Sequence, residues 1–571
     1  MPNASIPLTS FTGGEWSPRL HGRSDIGKYS NACAVLQNLI NYPHGGVVRR
    51  MGMEYIEDAR TNNVRLIPFE YNREQAYVLE FTENKIRFYR NGAQIQAGGL
   101  PYEVVSPFSA ADLPDISFTQ SADVLYLVHE KHPPQKLSRT GPDTFGLSAI
   151  VFTGQPVEWT ANNYPRAICF YQNRLVFAGS PNKPQTLWFS KTATYETLTS
   201  GTGGSDGMVV TISSNQVNAI QWLVASKKLL VGTTGGEWTV GDGVNAVTPS
   251  NIQAYRESNY GSKSGRVQLV GQGAIYASRD GRKLRDMSYS YQSDGFISPE
   301  LSLLSEHLTR PGIREFDLAQ NPDTILWCVM EDGSLAGLTY LKSEEVQGWH
   351  RHTTQGEVKS VCTIEGDTST EVWFAVLRNG KVRIEKMPDM FEGDDLNDTS
   401  CAYLDSFLTY EGPEIQTLSG LEHLEGMDVG VIANGQVLPV KKVIDGKITL
   451  GVKATKVVVG LEYEWRLVPL RLEGGSPTGV SQGKKKRIES LVVRVERSAG
   501  INHRIPGQEK GMPLAARKFG NNFNEAVKLY TGDLPIKVQD SWDRDGQFEL
   551  FGKDPLPVTI LMIVAKVTVN E

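Results

Sequence analysis

The chain has no framework of paired cysteines. Its 571 residues include five, Cys33, Cys169, Cys328, Cys362 and Cys401, and no two form a Cys-x-x-Cys pair. That excludes a zinc ribbon and a thioredoxin-like motif. Cys169, Cys328 and Cys362 stand inside apolar runs, where a thiol reads as a small buried hydrophobe. A scattered, odd set points to assembly in a reducing cytoplasm. Long apolar stretches are missing too. The longest, residues 557–565, falls far short of the ~20 residues a membrane helix needs and reads as a C-terminal strand. Met1-Pro2-Asn3-Ala4-Ser5 carries neither a basic stretch nor an apolar one, so no secretory signal is expected. Basic charge is not in excess. Lys and Arg number 58 against 64 Asp and Glu, a net charge of −6, and no basic stripe marks a nucleic-acid binder.

The common catalytic signatures are absent as well. There is no HExxH, no P-loop and no GxSxG elbow; Gly261-Ser262-Lys263-Ser264-Gly265 puts a lysine where the nucleophile would stand. The glycine-rich residues 201–207 precede the strand-type run Met208-Val209-Val210-Thr211-Ile212. A phosphate cradle would need a helix N-terminus there, so a blade loop is expected. His129 and His132 lie three apart, a spacing open to a metal. However, Pro133-Pro134 follows at once and no third ligand is near in sequence, so no metal site is expected. Asp540, Asp543 and Asp545-Gly546 have the wrong spacing for an EF-hand loop and read as a turn held by Asx side chains. Two carboxylates could meet to hydrolyse a glycan, but none of the 64 acidic residues singles itself out. No catalytic residue, no cofactor and no enzymatic activity are expected.

What is present is a folded composition, 40% apolar and 21% charged, rich in Gly (56) and Pro (29), which suits many turns and few long helices. A two-part strand pattern recurs through the middle of the chain. Its markers are Ile67, Ile116, Ile168, Ile220, Leu269, Phe316 and Val361, in steps of 49, 52, 52, 49, 47 and 45 residues. After each marker and a short polar turn comes a second apolar run, such as Tyr77-Val78-Leu79 or Val372-Trp373-Phe374. A third strand closes most copies, as in Lys85-Ile86-Arg87-Phe88 and Lys381-Val382-Arg383-Ile384. A period in this range, built of short antiparallel strands, indicates a β-propeller of about seven blades. The fold class is therefore mostly β, with the propeller spanning residues 62–390.

Residues 1–61 form a separate leader. Within it Tyr29, Cys33, Leu36 and Ile40 fall at i, i+4, i+7 and i+11, which predicts a short helix. The acidic, turn-rich residues 392–398 mark a boundary. Beyond it, residues 391–571 return to strand alternation, with Asn434-Gly435 and Asp445-Gly446 as hairpin turns.

The two ends carry the most distinctive motifs. At the start stand Phe11-Thr12-Gly13-Gly14-Glu15-Trp16-Ser17-Pro18-Arg19-Leu20, Tyr29-Ser30-Asn31-Ala32-Cys33 and Pro43-His44-Gly45-Gly46-Val47-Val48-Arg49-Arg50. Near the far end stand Val458-Val459-Gly460-Leu461-Glu462-Tyr463, Gln482-Gly483-Lys484-Lys485-Lys486-Arg487-Ile488, Tyr530-Thr531-Gly532-Asp533, Trp542-Asp543-Arg544-Asp545-Gly546-Gln547 and Asp554-Pro555-Leu556-Pro557. In these the chain resembles the tail nozzle proteins of short-tailed bacteriophages, also called tail tubular protein B. The resemblance implies a virion structural protein, assembled in the host cytoplasm and located in the virion tail. It implies a homo-hexameric ring below the head–tail adaptor, with a platform domain built from both chain ends and tail fibres or a tail needle at the distal tip. The genomic double-stranded DNA passes through such a ring without specific binding, and no small-molecule substrate is implied. A neutral or acidic bore lets DNA slide where a basic one would hold it, so channel-facing loops are expected to carry Asp, Glu, Ser and Gly in excess of Lys and Arg.

Trp16, Arg19, Arg49 and Arg50 are candidate contacts to the adaptor or a neighbouring subunit, with anchoring of the platform itself as the equal alternative. Lys484, Lys485, Lys486 and Arg487 form the densest basic run, either a contact to phosphate or an acidic partner or a solvated strand entry. The alternative function is a tail-associated glycan-binding or depolymerase protein, for which Trp159, Tyr164 and Tyr195 would be exposed stacking platforms.

Overall fold

The computed structural model describes residues 3–213, 215–473, 481–508, 511–513, 528–538 and 542–570. It is mostly β and propeller-like. Among the described residues the one α-helical turn is Glu306–Thr309. Each repeat marker lies on or beside the first strand of an antiparallel meander, in which consecutive strands pair in sequence order. The second, for example, runs Ser117–Ser121, Val124–His129, His132–Gly141, Thr144–Ala149. Middle strands such as Arg174–Ser180 and Ile325–Met330 are buried along their whole length. They are covered on both faces, which is why they read as unbroken apolar runs rather than as alternation.

A separate apolar core lies between each meander and the next. Ile67, Leu79 and Phe81 pack with Leu125 and Leu137, and Tyr126 and Val128 pack with Phe177 and Trp188. The series runs on through Val231 against Val176, Trp222 against Tyr276, Ile275 against Leu326 and Trp327 against Phe374. One more core, with Cys362, Trp373 and Ile384, covers Leu66, Val78 and Tyr89 of the first meander. Leu66 N also donates to Ser360 Oγ at 2.9 Å, so the last meander packs on the first.

The last meander takes its outer strand from the opposite end of the chain. Glu54–Asp58 pairs antiparallel with Lys381–Met387 (Arg383 with Asp58, Lys386 with Glu54), although it falls inside the expected leader. Glu54–Asp58 then passes the sheet to Asp405–Ser419 and Lys447–Leu461. The hairpin turns of this region have the expected chemistry. Asn434 and Gly435 have φ of 47° and 74° between Ala433 and Gln436, which pair directly, as a two-residue type I′ turn requires.

The two termini share a sheet. Thr559–Asn570 pairs with Asn3–Leu8, Val47–Arg49 and Lys485–Ser498. Leu8, Leu39, Val47, Leu491, Val493 and Ile563 fill its core.

The expected helix in the leader is corrected. Tyr29–Asn31 is a 3-10 turn, and Ala32–Gln37 and Leu39–Asn41 are strands. The strand Ala32–Gln37 slips register against Trp465–Pro469 between Cys33 and Val35. A bulge of this kind puts residues three apart on one face, so buried Cys33 and Leu36 imitate helical spacing.

His350 and His352 are buried beside Trp327, with Nδ1 of one 2.6 Å from Nε2 of the other. Burial lowers His350 to about 3 and His352 well below its ordinary value. In the folded state these rings bind fewer protons than when unfolded, so their contribution is complete above about pH 6.5 and is lost as pH falls toward 3. Burial raises the Glu80 and Glu315 carboxyls, which act in the opposite sense at lower pH. The urea midpoint of the wild type should therefore fall between pH 7 and pH 5. His350→Gln/His352→Gln should flatten that slope; an unchanged slope would exclude these rings as its source.

Candidate functional site

The first strands of the first five meanders and the residues beside them line a cavity of about 430 Å³. Its two arginines have partners within the chain. Arg65 Nη1 donates to Leu113 O, Pro114 O and Ile116 O at 2.8, 3.2 and 2.6 Å, and its Nε lies 3.7 Å from Glu315. Arg266 Nη1 donates to Asp317 Oδ1 at 2.7 Å. The other oxygen of Asp317 accepts from Thr363 N at 2.8 Å. These groups knit first strands to one another.

The densest polar construction lies where the leader, the C-terminal region and the last two meanders meet. Arg50 is fully buried and all of its donors are engaged. Nη1 and Nη2 donate to the two oxygens of Asp405 at 2.7 and 2.8 Å, Nε to Asn38 Oδ1 at 3.0 Å, Nη1 to Met51 O at 2.9 Å and Nη2 to Thr353 O at 3.0 Å. The Tyr463 ring covers its guanidinium at 3.8 Å, and Tyr463 OH donates to Arg50 O at 2.6 Å. Asp405 also accepts from Thr354 Oγ1 at 2.7 Å, and that hydroxyl accepts from Arg378. Arg378 closes a second bidentate pair with buried Glu385 at 2.7 and 2.8 Å. Burial pushes the Asp405 carboxyl up, but Arg50 and Arg378 more than offset this and hold it below the usual range.

Arg49, also fully buried, has carbonyl partners instead. It donates to Asp554 O, to Leu556 O at 2.9 Å and to Tyr463 O at 2.8 Å, between the rings of Tyr403 and Tyr463. Burial lowers its pKa. A third anchor is Glu15, whose oxygens accept from Leu36 N at 2.8 Å and Arg351 Nε at 2.9 Å, with His307 Nε2 at 2.7 Å. Trp16 beside it is buried against Tyr29, Ala32 and Leu470, and donates to Gly13 O at 3.1 Å. Gly14 sits at φ 65°, and a Cβ there would lie 2.3 Å from Trp349 N; the Gly13-Gly14-Glu15-Trp16 motif is thus an internal seam.

Of the two equal expectations for Trp16, Arg49 and Arg50, a partner contact or an internal anchor, their full burial favours the anchor. Arg19 differs: its side chain is 78% exposed and pairs with Glu306 at 2.7 Å. The basic run does not form one patch. Strand alternation turns Lys485 and Arg487 outward and Lys486 inward, where its Nζ donates to Leu472 O and Glu473 Oε1 at 2.9 Å each. Lys484 stands half-buried just before the strand.

Trp159 is buried among Phe152, Phe177 and Trp188, and Tyr164 and Tyr195 pack against the same core. The three fill space between meanders and offer no exposed stacking platform. Asp543 Oδ1 accepts from Gly546 N three residues on at 2.7 Å, so an Asx side chain holds this turn, while Asp540 lies outside the described residues. All five cysteines are buried and free, and burial pushes the Cys401 thiol up to about 12.

Sequence reasoning missed Asp405, Tyr463, Arg378 and Glu385 as partners of the arginines. The available signal was Arg49-Arg50 itself, two adjacent charges that directly continue the apolar strand residues Val47 and Val48. It also missed Asp112, which packs beside His129 and His132.

No family model and no curated protein matches the chain. Among solved structures it is similar to the WD40 domain of Neurospora crassa Pan2, with 10% identity and a TM-score of 0.34 over 59% of this chain and 90% of that one. It is also similar to Chaetomium thermophilum Raptor, with 8% identity and a TM-score of 0.38 over 60% of this chain and 29% of that one. Likenesses this distant carry no argument about function.

Removing one member of a buried ion pair costs about 3–5 kcal/mol, whereas replacing both by apolar residues of similar size is often neutral. Asp405→Asn should lower the stability of the full chain by that amount in urea titration. Arg50→Met/Asp405→Leu should recover most of it, and Arg19→Ala should leave the midpoint unchanged. A midpoint for Asp405→Asn equal to the wild type would show that the joint is dispensable.

Proposed function

We propose that the chain is a structural subunit of the tail nozzle of a short-tailed bacteriophage, located in the virion tail and without catalytic activity. Its meanders are seven blades of one closed propeller, completed by Glu54–Asp58. The sheet shared by the two termini belongs to the platform that docks on the head–tail adaptor. Six copies form a ring around the path of the genomic DNA, and the distal tip receives fibres or a needle.

The observation that carries this reading is the union of the chain ends. Among the motifs that resemble the nozzle family, Val47–Arg49 shares a sheet with Lys485–Ser498 through Thr559–Asn570, and Arg49 donates to Asp554 O, Leu556 O and Tyr463 O. A platform made from both ends would need such a union. The net charge of −6 suits a conduit better than a DNA-binding protein. The glycan-binding alternative is weakened by the burial of Trp159 and its neighbours.

The mass of the purified protein in solution, with negative-stain images of the same sample, tests the assembly. Rings of six, alone or on adding adaptor, are expected; a monomer that binds cell-surface glycan and never forms rings would overturn the proposal. In a cryo-EM map of the ring, Asp, Glu, Ser and Gly should outnumber Lys and Arg along the bore, and a continuous Lys/Arg lining would contradict the conduit mechanism.

A further inference from the structure

We propose that Asp112, His129 and His132 form a binding site for a divalent transition metal of the zinc class, which clips the turn after Val124–His129 to the connection that leads into Ser117–Ser121. The histidines are brought together by register. His129 ends one strand, His132 begins the next, and the two pair directly across the ladder. Residues opposed in this way have Cβ atoms about 4.5–5.5 Å apart on one face, and here the ring centroids are 5.4 Å apart. The third ligand comes from the preceding connection. Asp112 is buried, with Oδ2 at 3.0 Å from His132 Nε2 and Oδ1 at 3.8 Å from His129 Nε2. One donor atom from each residue lies within 4.8 Å of the others. With metal–ligand bonds of about 2.0–2.2 Å, tetrahedral donors lie about 3.3 Å apart, so small side-chain shifts bring the three onto one ion.

The surroundings suit a cation. Ser109 donates to Asp112 Oδ2 through N at 2.9 Å and Oγ at 2.7 Å, which fixes the carboxylate as supporting hydrogen bonds do in metal sites. Phe108 walls one side, its ring centroid 6.2 and 5.3 Å from those of His129 and His132. His132, 22% exposed, provides the approach from solvent. Two imidazoles and one carboxylate favour Zn²⁺, Co²⁺ or Ni²⁺ over Mg²⁺ or Ca²⁺. Pro133 and Pro134 are no obstacle. They continue the strand, and Ile150 N donates to Pro134 O at 2.9 Å.

Two competitors for the metal both belong to Lys131. Its ammonium lies 2.8 Å from Asp112 Oδ1 on a side chain that is 55% exposed, so it can swing into solvent. Its backbone N donates to His129 Nδ1 at 3.2 Å. If His129 binds the ion through Nε2, its ring proton moves to Nδ1 and that bond is lost. Metal and Lys131 thus exclude one another at the same carboxylate.

Titration of the full chain with Co²⁺, read by visible absorption, tests the site. One Co²⁺ per chain with a tetrahedral spectrum is expected, displaced by Zn²⁺ and unaffected by Mg²⁺. His132→Ala and Asp112→Asn should weaken binding about 100-fold or more, and Lys131→Gln should tighten it about tenfold by removing the competing charge. Zn²⁺ should raise the Tm of the wild type and leave His132→Ala unchanged, with metal-free Tm values reporting whether each variant folds. Absence of a Co²⁺ spectrum, an unaltered spectrum in His132→Ala, or weaker binding by Lys131→Gln would overturn the assignment.

Discussion

The bidentate contact between Arg50 and Asp405 is the constraint on which the arrangement of this chain depends. Both groups are out of water, and an uncompensated charge in that position would be prohibitively costly. Full occupation of the guanidinium makes burial tolerable, and it can be achieved in one geometry only. Asn38, Thr353, Asp405 and Tyr463 must all arrive together. Those residues come from the leader, the sixth meander's exit and the C-terminal region. The pair therefore acts less as a source of net stability than as a selector of arrangement: a misplaced segment leaves a bare charge.

The repeat was legible in the sequence because its signal is redundant. Each meander has a middle strand covered on both faces, so every copy writes a continuous apolar run, and the spacing of the runs gives the period. Asn434-Gly435 and Asp445-Gly446 were legible for a different reason, since positive φ at both positions restricts composition. The leader was not legible. A bulge made Cys33 and Leu36 look helical, and the burial of Arg49 and Arg50 depends on carboxylates and carbonyls more than 350 residues away in sequence. Charges written next to each other suggest a surface unless their distant partners are known. His129 and His132 show the same limitation: their spacing was visible, and the acid that completes the group was not, because it lies across a turn in a different connection.

Across the molecule, charged residues serve to join elements. Glu15 ties the leader to Arg351, Asp317 ties Arg266 to the strand after it, and Glu549 receives Arg504 at 2.8 and 2.9 Å. In each of these joints the acid is committed to a partner from another element. On the proposed reading this suits a subunit whose task is to keep its shape while another molecule passes.

The pairing of Glu54–Asp58 with Lys381–Met387 also imposes an order on biosynthesis. The outer strand leaves the ribosome first, and its partner follows more than three hundred residues later. Until then both sit beside unpaired backbone edges, the feature that invites wrong pairing between nascent chains. Closure of such a sequence-distant contact is slow because its loop entropy must be overcome before any native contact compensates it. Completion of the last meander and of the ionic joint thus waits until Lys381–Met387 and Asp405 have been made. Products truncated before Lys381 would leave the antiparallel edge of Glu54–Asp58 open, and only a chain that has passed Met387 could mask it.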